Sequence, residues 1–128
     1  MTKVVVDTNI IIDYLRIGNE VFQRLVAQQA EQTIELYLSS MSVLELFAGK
    51  SSRRDSTKLL QCIAPCTVLP MNQDVARFAG ELKRDNNLSI AIADLVIAAS
   101  ALSINAQLAT RNKRHYQGIP KLRFYPLS

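Results

Sequence analysis

The chain has 128 residues, of which 48% are hydrophobic and 20% charged, an ordinary globular balance far from that of a disordered protein. That length fits a single domain over residues 1–128, and a net charge of +4 with a pI near 9.3 favours polyanions without requiring one. Two cysteines, Cys62 and Cys66, and the lone His115 exclude a zinc knuckle and leave both thiols as core or half-buried groups.

The chain begins Met-Thr-Lys-Val-Val-Val-Asp-Thr-Asn. Val4, Val5 and Val6 form an apolar run without alternation, the pattern of a strand buried on both faces of a mostly parallel sheet. Asp7 follows at once, at the carboxyl edge where open α/β sheets place their ligand sites. Alternatively, Asp7 or Asn9 caps the next helix. The apolar stretch is too short for a signal peptide, so a cytoplasmic protein is expected. Ile10 to Leu15 predicts a short helix that Arg16-Ile17-Gly18-Asn19 breaks. Glu20 to Gln32 predicts an amphipathic helix with Val21, Phe22, Leu25 and Val26 on its apolar face. Thr33 to Leu38 alternates, which predicts a second strand ending at Ser39-Ser40. Ser42-Val43-Leu44-Glu45 then opens a helix that Gly49 closes. Glu45 either completes a capping box with Ser42 or is a second functional carboxylate.

Lys50, Arg53, Arg54 and Lys58 make a basic run that is either a solvated helix face or an edge that tracks phosphates. Leu59 to Ala64 completes that helix, Pro65 ends it, and Thr67 to Leu69 predicts a short third strand. Asn72 caps a helix over Gln73 to Asn86. Ile90 to Ile104 is apolar on every face except for Asp94, the pattern of a buried helix. Asp94, several serines and an asparagine in the run from Leu88 to Ala106 argue against a membrane span. A buried carboxylate must be neutralised, exposed in the first turn, or bound to a cation. The helix dipole alone offers little return for placing it there. Gln107 to Thr110 predicts a fourth strand ending at Arg111-Asn112. The cluster Arg111, Lys113, Arg114 and His115 is either a solvated loop or a rim that guides phosphates. His115 packs or caps as readily as it acts, having no acid beside it in sequence. Leu122 to Tyr125 predicts an edge strand.

Strands and helices alternate, which predicts a parallel α/β sheet flanked by helices. In that architecture Asp7, Asn112 and the helix bearing Glu45 share the carboxyl edge, and Asp94 can project there. Carboxylates gathered at one edge repel one another unless a cation balances them. Oxygen ligands without Cys or His favour magnesium or manganese. No Ser-His-Asp set and no glycine-loop lysine is present, so a covalent nucleophile is unsupported.

Four segments in order, Val-Val-Asp7-Thr8-Asn9, Ser42-x-x-Glu45-Leu46, Ala93-Asp94-Leu95-x-Ile97-Ala98-Ala99 and Thr110-Arg111-Asn112, resemble those of PIN-domain ribonucleases. Length and basic composition are similar to the toxin member of VapBC-type toxin–antitoxin pairs, and the resemblance runs from Val4 to about Pro126. It implies a PIN-like three-layer α/β/α fold with a central mostly parallel sheet of four to five strands. It also implies a Mg2+- or Mn2+-dependent endoribonuclease, held in check by a cognate antitoxin and commonly a homodimer. Carried onto this sequence, Asp7 and Asp94 become direct metal ligands and Glu45 a further ligand or base-orienting carboxylate. Asn112 takes the fourth catalytic position, where many relatives carry an acid, and offers only a neutral ligand. His115 likewise replaces an acid found in some relatives. Thr8, Ser42 and Thr110 become hydroxyls that orient carboxylates or touch phosphate, and Arg111, Lys113 and Arg114 bind RNA phosphates. Metal-activated attack of water would leave a 5′-phosphate and a 3′-hydroxyl. Two other readings stand beside this one: an inactive PIN scaffold that binds RNA or a protein, and a receiver-type signalling domain. The second needs paired acids after the first strand and a lysine after the last, neither of which is present here.

Overall fold

The computed structural model describes residues 1–127; Ser128, where the expected domain ends, lies outside the described residues. The valine run forms β1 (Thr2–Val6), which leads directly into α1 (Thr8–Ile17). After Gly18, whose φ of 68° is the left-handed stop that ends α1, come α2 (Val21–Ala30) and β2 (Ile34–Ser39). There follow α3 (Ser40–Ala48), α4 (Ser52–Ile63), β3 (Thr67–Leu69), α5 (Gln73–Asn86), α6 (Ile92–Ser103) and β4 (Gln107–Ala109). A 3-10 turn at Lys113–Tyr116 closes the ordered elements.

The four strands are all parallel, in the order β3-β2-β1-β4. β1 therefore has β2 on one side and β4 on the other, and the chain reverses its direction of progress across the sheet between them. Such a switch point leaves a crevice at the carboxyl ends of the strands. Side chains of β1 alternate between the two faces. Val4 and Val6 join Ile10, Ile11, Phe22, Leu25 and Leu59 in one core, under α1, α2 and α4. Val5 joins Ile97, Ala98 and Leu108 on the opposite face, under α6, while α5 packs outside α6 through Val75, Ala79 and Leu82. The result is three layers, α/β/α. No described helix is long and apolar enough to cross a membrane.

Local chemistry departs from the sequence expectations at five places. α1 begins at Thr8 because Asp7 occupies the N-cap position, yet the Asp7 side chain makes no capping bond. Ser39, not Ser42, caps α3, accepting a hydrogen bond from the Met41 N–H at 3.1 Å, so the Ser42–Glu45 capping box does not form. Gly49 ends α3 with φ of −63°, an extended conformation open to any residue. α6 starts two residues later than expected, at Ile92. Finally, the segment expected as an edge strand contributes only one bridge, Leu108 to Phe124, to the sheet. Asn72 does cap α5, accepting from the Val75 N–H at 2.9 Å, and Asn87 ends that helix at φ of 49°. Cys62 is buried and Cys66 half-buried, both as free thiols.

Candidate active site

Three of the four strands end in polar residues at the crevice. β1 hands over to Asp7, β2 ends in Ser39 at the start of α3, and β4 hands over to Thr110; all three of these residues are buried. Pairing of β1 with β4 continues past the last strand residue, since the Asp7 N–H donates to the Ala109 carbonyl at 2.9 Å. That bond fixes the Asp7 backbone beside Thr110, whose hydroxyl donates to Asp7 Oδ2 at 2.7 Å. Thr110 Oγ1 in turn accepts the Asn112 N–H at 3.0 Å, so the turn that follows β4 is tied to the same carboxylate. Only 3% of Asp7 is exposed, and its carboxylate has no capping role.

A second group forms one helix turn away. Thr8 Oγ1 lies 2.8 Å from Ser42 Oγ and 2.7 Å from Glu45 Oε1. A threonine hydroxyl has one proton to give, so Thr8 donates it to the Glu45 carboxylate and Ser42 supplies the proton of the other bond. Ser42 is fully buried and Glu45 half-buried, so α3 presents its carboxylate from a locked base. This is the partner that displaces the capping box.

Asp94 stands in the first turn of α6, half-buried, where the helix leaves the crevice for the core. Its carboxyl pKa is raised, first by burial and then by the negative charge of Asp7, with Glu45 adding a smaller push; His115 and the Tyr116 hydroxyl oppose them. Tyr116 is 2% exposed and donates to Asp94 Oδ1 at 3.3 Å. Burial together with Asp7 and Asp94 drives its own pKa far above that of a free phenol, so it stays a donor. His115 Nδ1 lies 3.7 Å from Asp94 Oδ2.

The three carboxylates expected from the sequence lie near enough for Asp7 and Glu45 to raise the Asp94 pKa, and each is held by a different hydroxyl: Asp7 by Thr110, Glu45 by Thr8, Asp94 by Tyr116. Asn112 sits beside them through its backbone, and among the described residues its side chain makes no hydrogen bond to an acid. Nor do any three Asp, Glu, His or Cys side chains among the described residues close into a metal-ligating group. Arg111 is drawn to Asp13 of α1 at 2.9 Å, and Lys113 Nζ lies 5.5 Å from the centre of the Phe124 ring. Lys113 and Arg114 are exposed at the rim of a cleft of about 900 Å³ that runs from Thr110 past His115 toward α2. Arg53 and Lys58 are exposed on α4 and Arg54 pairs with Asp55, while Lys50, Arg54 and Asp55 line a second cleft together with Glu45, so the basic run borders the Glu45 side of the site.

Tyr116 is the site residue that sequence reasoning passed over. Directly after the basic cluster that ends at His115, nothing in the pattern distinguishes it from a core aromatic. A polar tip on an aromatic that directly follows a basic turn at a strand end was the available signal. The His115–Asp94 approach was equally hidden, because 21 residues separate the two in sequence.

The family model described as PIN domain matches residues 4–119. Ribonuclease VapC19 of Mycobacterium tuberculosis is 31% identical over 121 residues, covering 91% of this chain and 94% of the relative. Among solved structures, VapBC2 from Rickettsia felis, bound to a DNA fragment from its promoter, superposes with a TM-score of 0.83 at 22% identity, covering 99% of this chain and all of the other. VapBC-1 from nontypeable Haemophilus influenzae gives a TM-score of 0.75 at 25% identity, with 97% of each chain covered.

Proposed function

The chain belongs to the PIN-domain family, and from that membership we propose that it is an endoribonuclease, the toxin of a toxin–antitoxin pair, acting as a single domain in the cytoplasm. The observation that carries the reading is the pairing of Asp94 with Asp7 beside the β1–β4 switch point, where burial and the Asp7 charge, with a smaller push from Glu45, hold the Asp94 pKa up. Acids kept this close without a matching set of cations fit a hard divalent ion, Mg2+ or Mn2+, and the all-oxygen donor set fits it too. Such ions keep several waters, so a site built from two carboxylates needs no closed cage. Asp7 and Asp94 would hold the ion, and Glu45 would orient a water or serve as a further ligand. Bound there, the ion would supply charge neutralisation at phosphate and acidify a water.

The remaining steps fall to side chains. Thr110 and Tyr116 hold the Asp7 and Asp94 carboxylates in fixed rotamers, so little reorganisation accompanies the build-up of charge on the phosphate. Glu45 Oε2, left open by the Thr8 bond to Oε1, accepts the proton of the attacking water. Thr8 and Ser42 orient that carboxylate. Lys113 and Arg114 hold flanking RNA phosphates, with Arg111 shared between phosphate and Asp13. Asn112, tied to Thr110 through its backbone, would offer only a neutral ligand to an ion or its water. The antitoxin partner is inferred from relatives whose structures are VapBC complexes, and a homodimer is inferred from the exposed apolar face of α3.

The test is cleavage of a total-RNA pool by purified protein with and without Mg2+ or Mn2+, beside Asp94→Asn. Cutting that needs the ion, stops in the variant and leaves 5′-phosphate ends supports the reading. A 2′,3′-cyclic phosphate product, or cutting that survives both chelator and Asp94→Asn, refutes it. One observation favours a second reading, a PIN scaffold that binds without cutting: Asn112 brings no charge, and no three ligating side chains close together among the described residues. Ion binding in calorimetry without cleavage of any RNA would select it.

A further inference from the structure

The cleft beside the acidic centre has two unlike walls. One is the turn from Thr110 to His115, already assigned to phosphate contacts. The other is made by α2 and the C-terminal segment, through Val21, Arg24, Tyr125 and Leu127, which nothing above uses. Among the described residues no Asp or Glu lines the cleft. Among the described residues Arg24, Lys113 and Arg114 have no carboxylate partner within ion-pair distance. Arg24 is exposed, so its guanidinium is available across from Lys113 and Arg114.

The second wall is also the apolar one. Tyr125 is fixed at both ends: its backbone N–H donates to the Leu108 carbonyl at 2.9 Å, and its hydroxyl donates to Gln28 Oε1 at 3.0 Å. A half-buried ring held this way, with Val21 and Leu127 beside it and a guanidinium at its border, has the make-up of a platform for a planar, anion-bearing ligand. Single-stranded nucleic-acid sites combine these two parts, a cationic track for the backbone and an aromatic face for a base. The cleft meets the acidic centre at Thr110, which holds Asp7, and at His115, which lies against Asp94.

We propose that this cleft is a nucleotide subsite next to the scissile phosphate, in which Tyr125 with Val21 and Leu127 receives an unpaired base and Arg24 takes the phosphate that follows it. The assignment rests on the nuclease reading of the acidic centre and adds to it a place for one base flanking the cut, on the wall formed by α2 and the C-terminal segment. Base pairing would keep that base from the Tyr125 face, so the nucleotide seated there is unpaired.

The test measures binding apart from cutting. In an Asp94→Asn background with Mg2+ present, fluorescence anisotropy follows two labelled hexamers of equal charge: a random-sequence oligoribonucleotide, and an abasic ribose-phosphate chain. The expected result is tighter binding of the base-bearing oligomer. Tyr125→Leu should weaken that oligomer by about 5- to 50-fold, bring it level with the abasic chain and leave the salt dependence unchanged. Tyr125→Phe should keep the preference. Arg24→Gln should weaken both oligomers alike and lower the salt slope by about 0.7, one phosphate contact. Thermal melts of each variant separate loss of binding from loss of fold, and Tyr125→Phe and Arg24→Gln leave the ring in place. Equal binding of the two oligomers, or full affinity in Tyr125→Leu, overturns the subsite. So does displacement of the RNA by an equally charged polyglutamate peptide, which would make the cleft a docking surface for an acidic protein. If the subsite fails while the wild type still cuts RNA in an Asp94-dependent way, the nuclease reading stands alone. If the wild type neither cuts nor binds RNA, that reading falls as well.

Discussion

Asp94 bears the largest conflict between stability and chemistry in the chain. Its carboxyl is raised by burial and by Asp7, so the folded protein binds that proton at higher pH than the unfolded chain does. For a carboxyl shifted upward the sign is fixed: the metal-free fold is penalised at neutral pH, and the penalty fades as pH falls through the raised pKa. Replacing it by Asn removes charge and keeps shape. Asp94→Asn in chelator at pH 7 is therefore expected to melt about 2–6 °C above wild type, with the gap narrowing as the solution is acidified. Scanning calorimetry at several pH values measures it, and a lower melting temperature would mean that Asp94 is held by partners rather than crowded by them. Tyr116 tests the same point from the other side. Its ring is seated edge-on to Phe124, 6.5 Å between centroids, so Tyr116→Phe keeps the packing and deletes the hydroxyl that donates to Asp94 and lies against Asp7. The expected cost is about 1 kcal/mol of stability and roughly a tenfold weaker Mn2+ affinity by titration calorimetry. A drop in melting temperature with unchanged Mn2+ affinity would reduce Tyr116 to a core residue.

At the scale of elements, what matters is which helix start each cap controls. Ser39 closes β2 and caps α3, and α3 carries Ser42 and Glu45. Asn72 caps α5, which carries no site residue and packs outside α6. Each cap is worth about 1 kcal/mol. Ser39→Ala and Asn72→Ala should thus lose similar stability in urea titrations, while only Ser39→Ala lowers cleavage, by about three- to tenfold, because the Glu45 carboxylate loses its fixed base. Equal activity in the two variants would show that α3 is positioned by its core contacts alone. The same comparison explains what the sequence made legible. The Asn72 cap was readable because a polar cap residue followed a proline and preceded an unbroken amphipathic pattern. α3 was misread by three residues because four serines and a methionine occupy positions 39–42 and 51, and any serine there satisfies the local rule for a cap. The choice among them is made by strand β2, whose pairing with β3 runs through Ser39 and leaves the helix no later start. The edge strand over Leu122 to Tyr125 failed for a related reason: β4 is three residues long and offers the segment only one bridge.

At the scale of the whole molecule the carboxyl edge was legible and its surfaces were not. Asp7 could be placed because the register of one buried strand fixes it, whereas the Arg24–Tyr125 wall joins α2 to the C-terminal segment across 101 positions, a pairing no local pattern carries. The outer face of α3 is a second such surface. Ser40, Leu44 and Phe47 lie four and three residues apart, on one side of the helix. Leu44 is 61% exposed, Phe47 36% and Met71 46%, and the Met71 N–H donates to the Ser40 hydroxyl at 3.0 Å, which brings all three apolar side chains to one strip. Covering that strip would return up to about 1.5–3 kcal/mol for Leu44 and less for the partly buried Phe47 and Met71, and a second copy related by a two-fold axis would cover it with itself. A homodimer built there is expected to sediment at twice the 14.3 kDa chain mass at micromolar concentration. Leu44→Lys puts two like charges across the axis and should shift sedimentation to the monomer while leaving the melting temperature of the chain within about 2 °C, because Leu44 contributes little to its own core. A wild type that sediments as a monomer would assign the strip to a different partner, and a Leu44→Lys variant that remains a dimer would move the two-fold axis to another face.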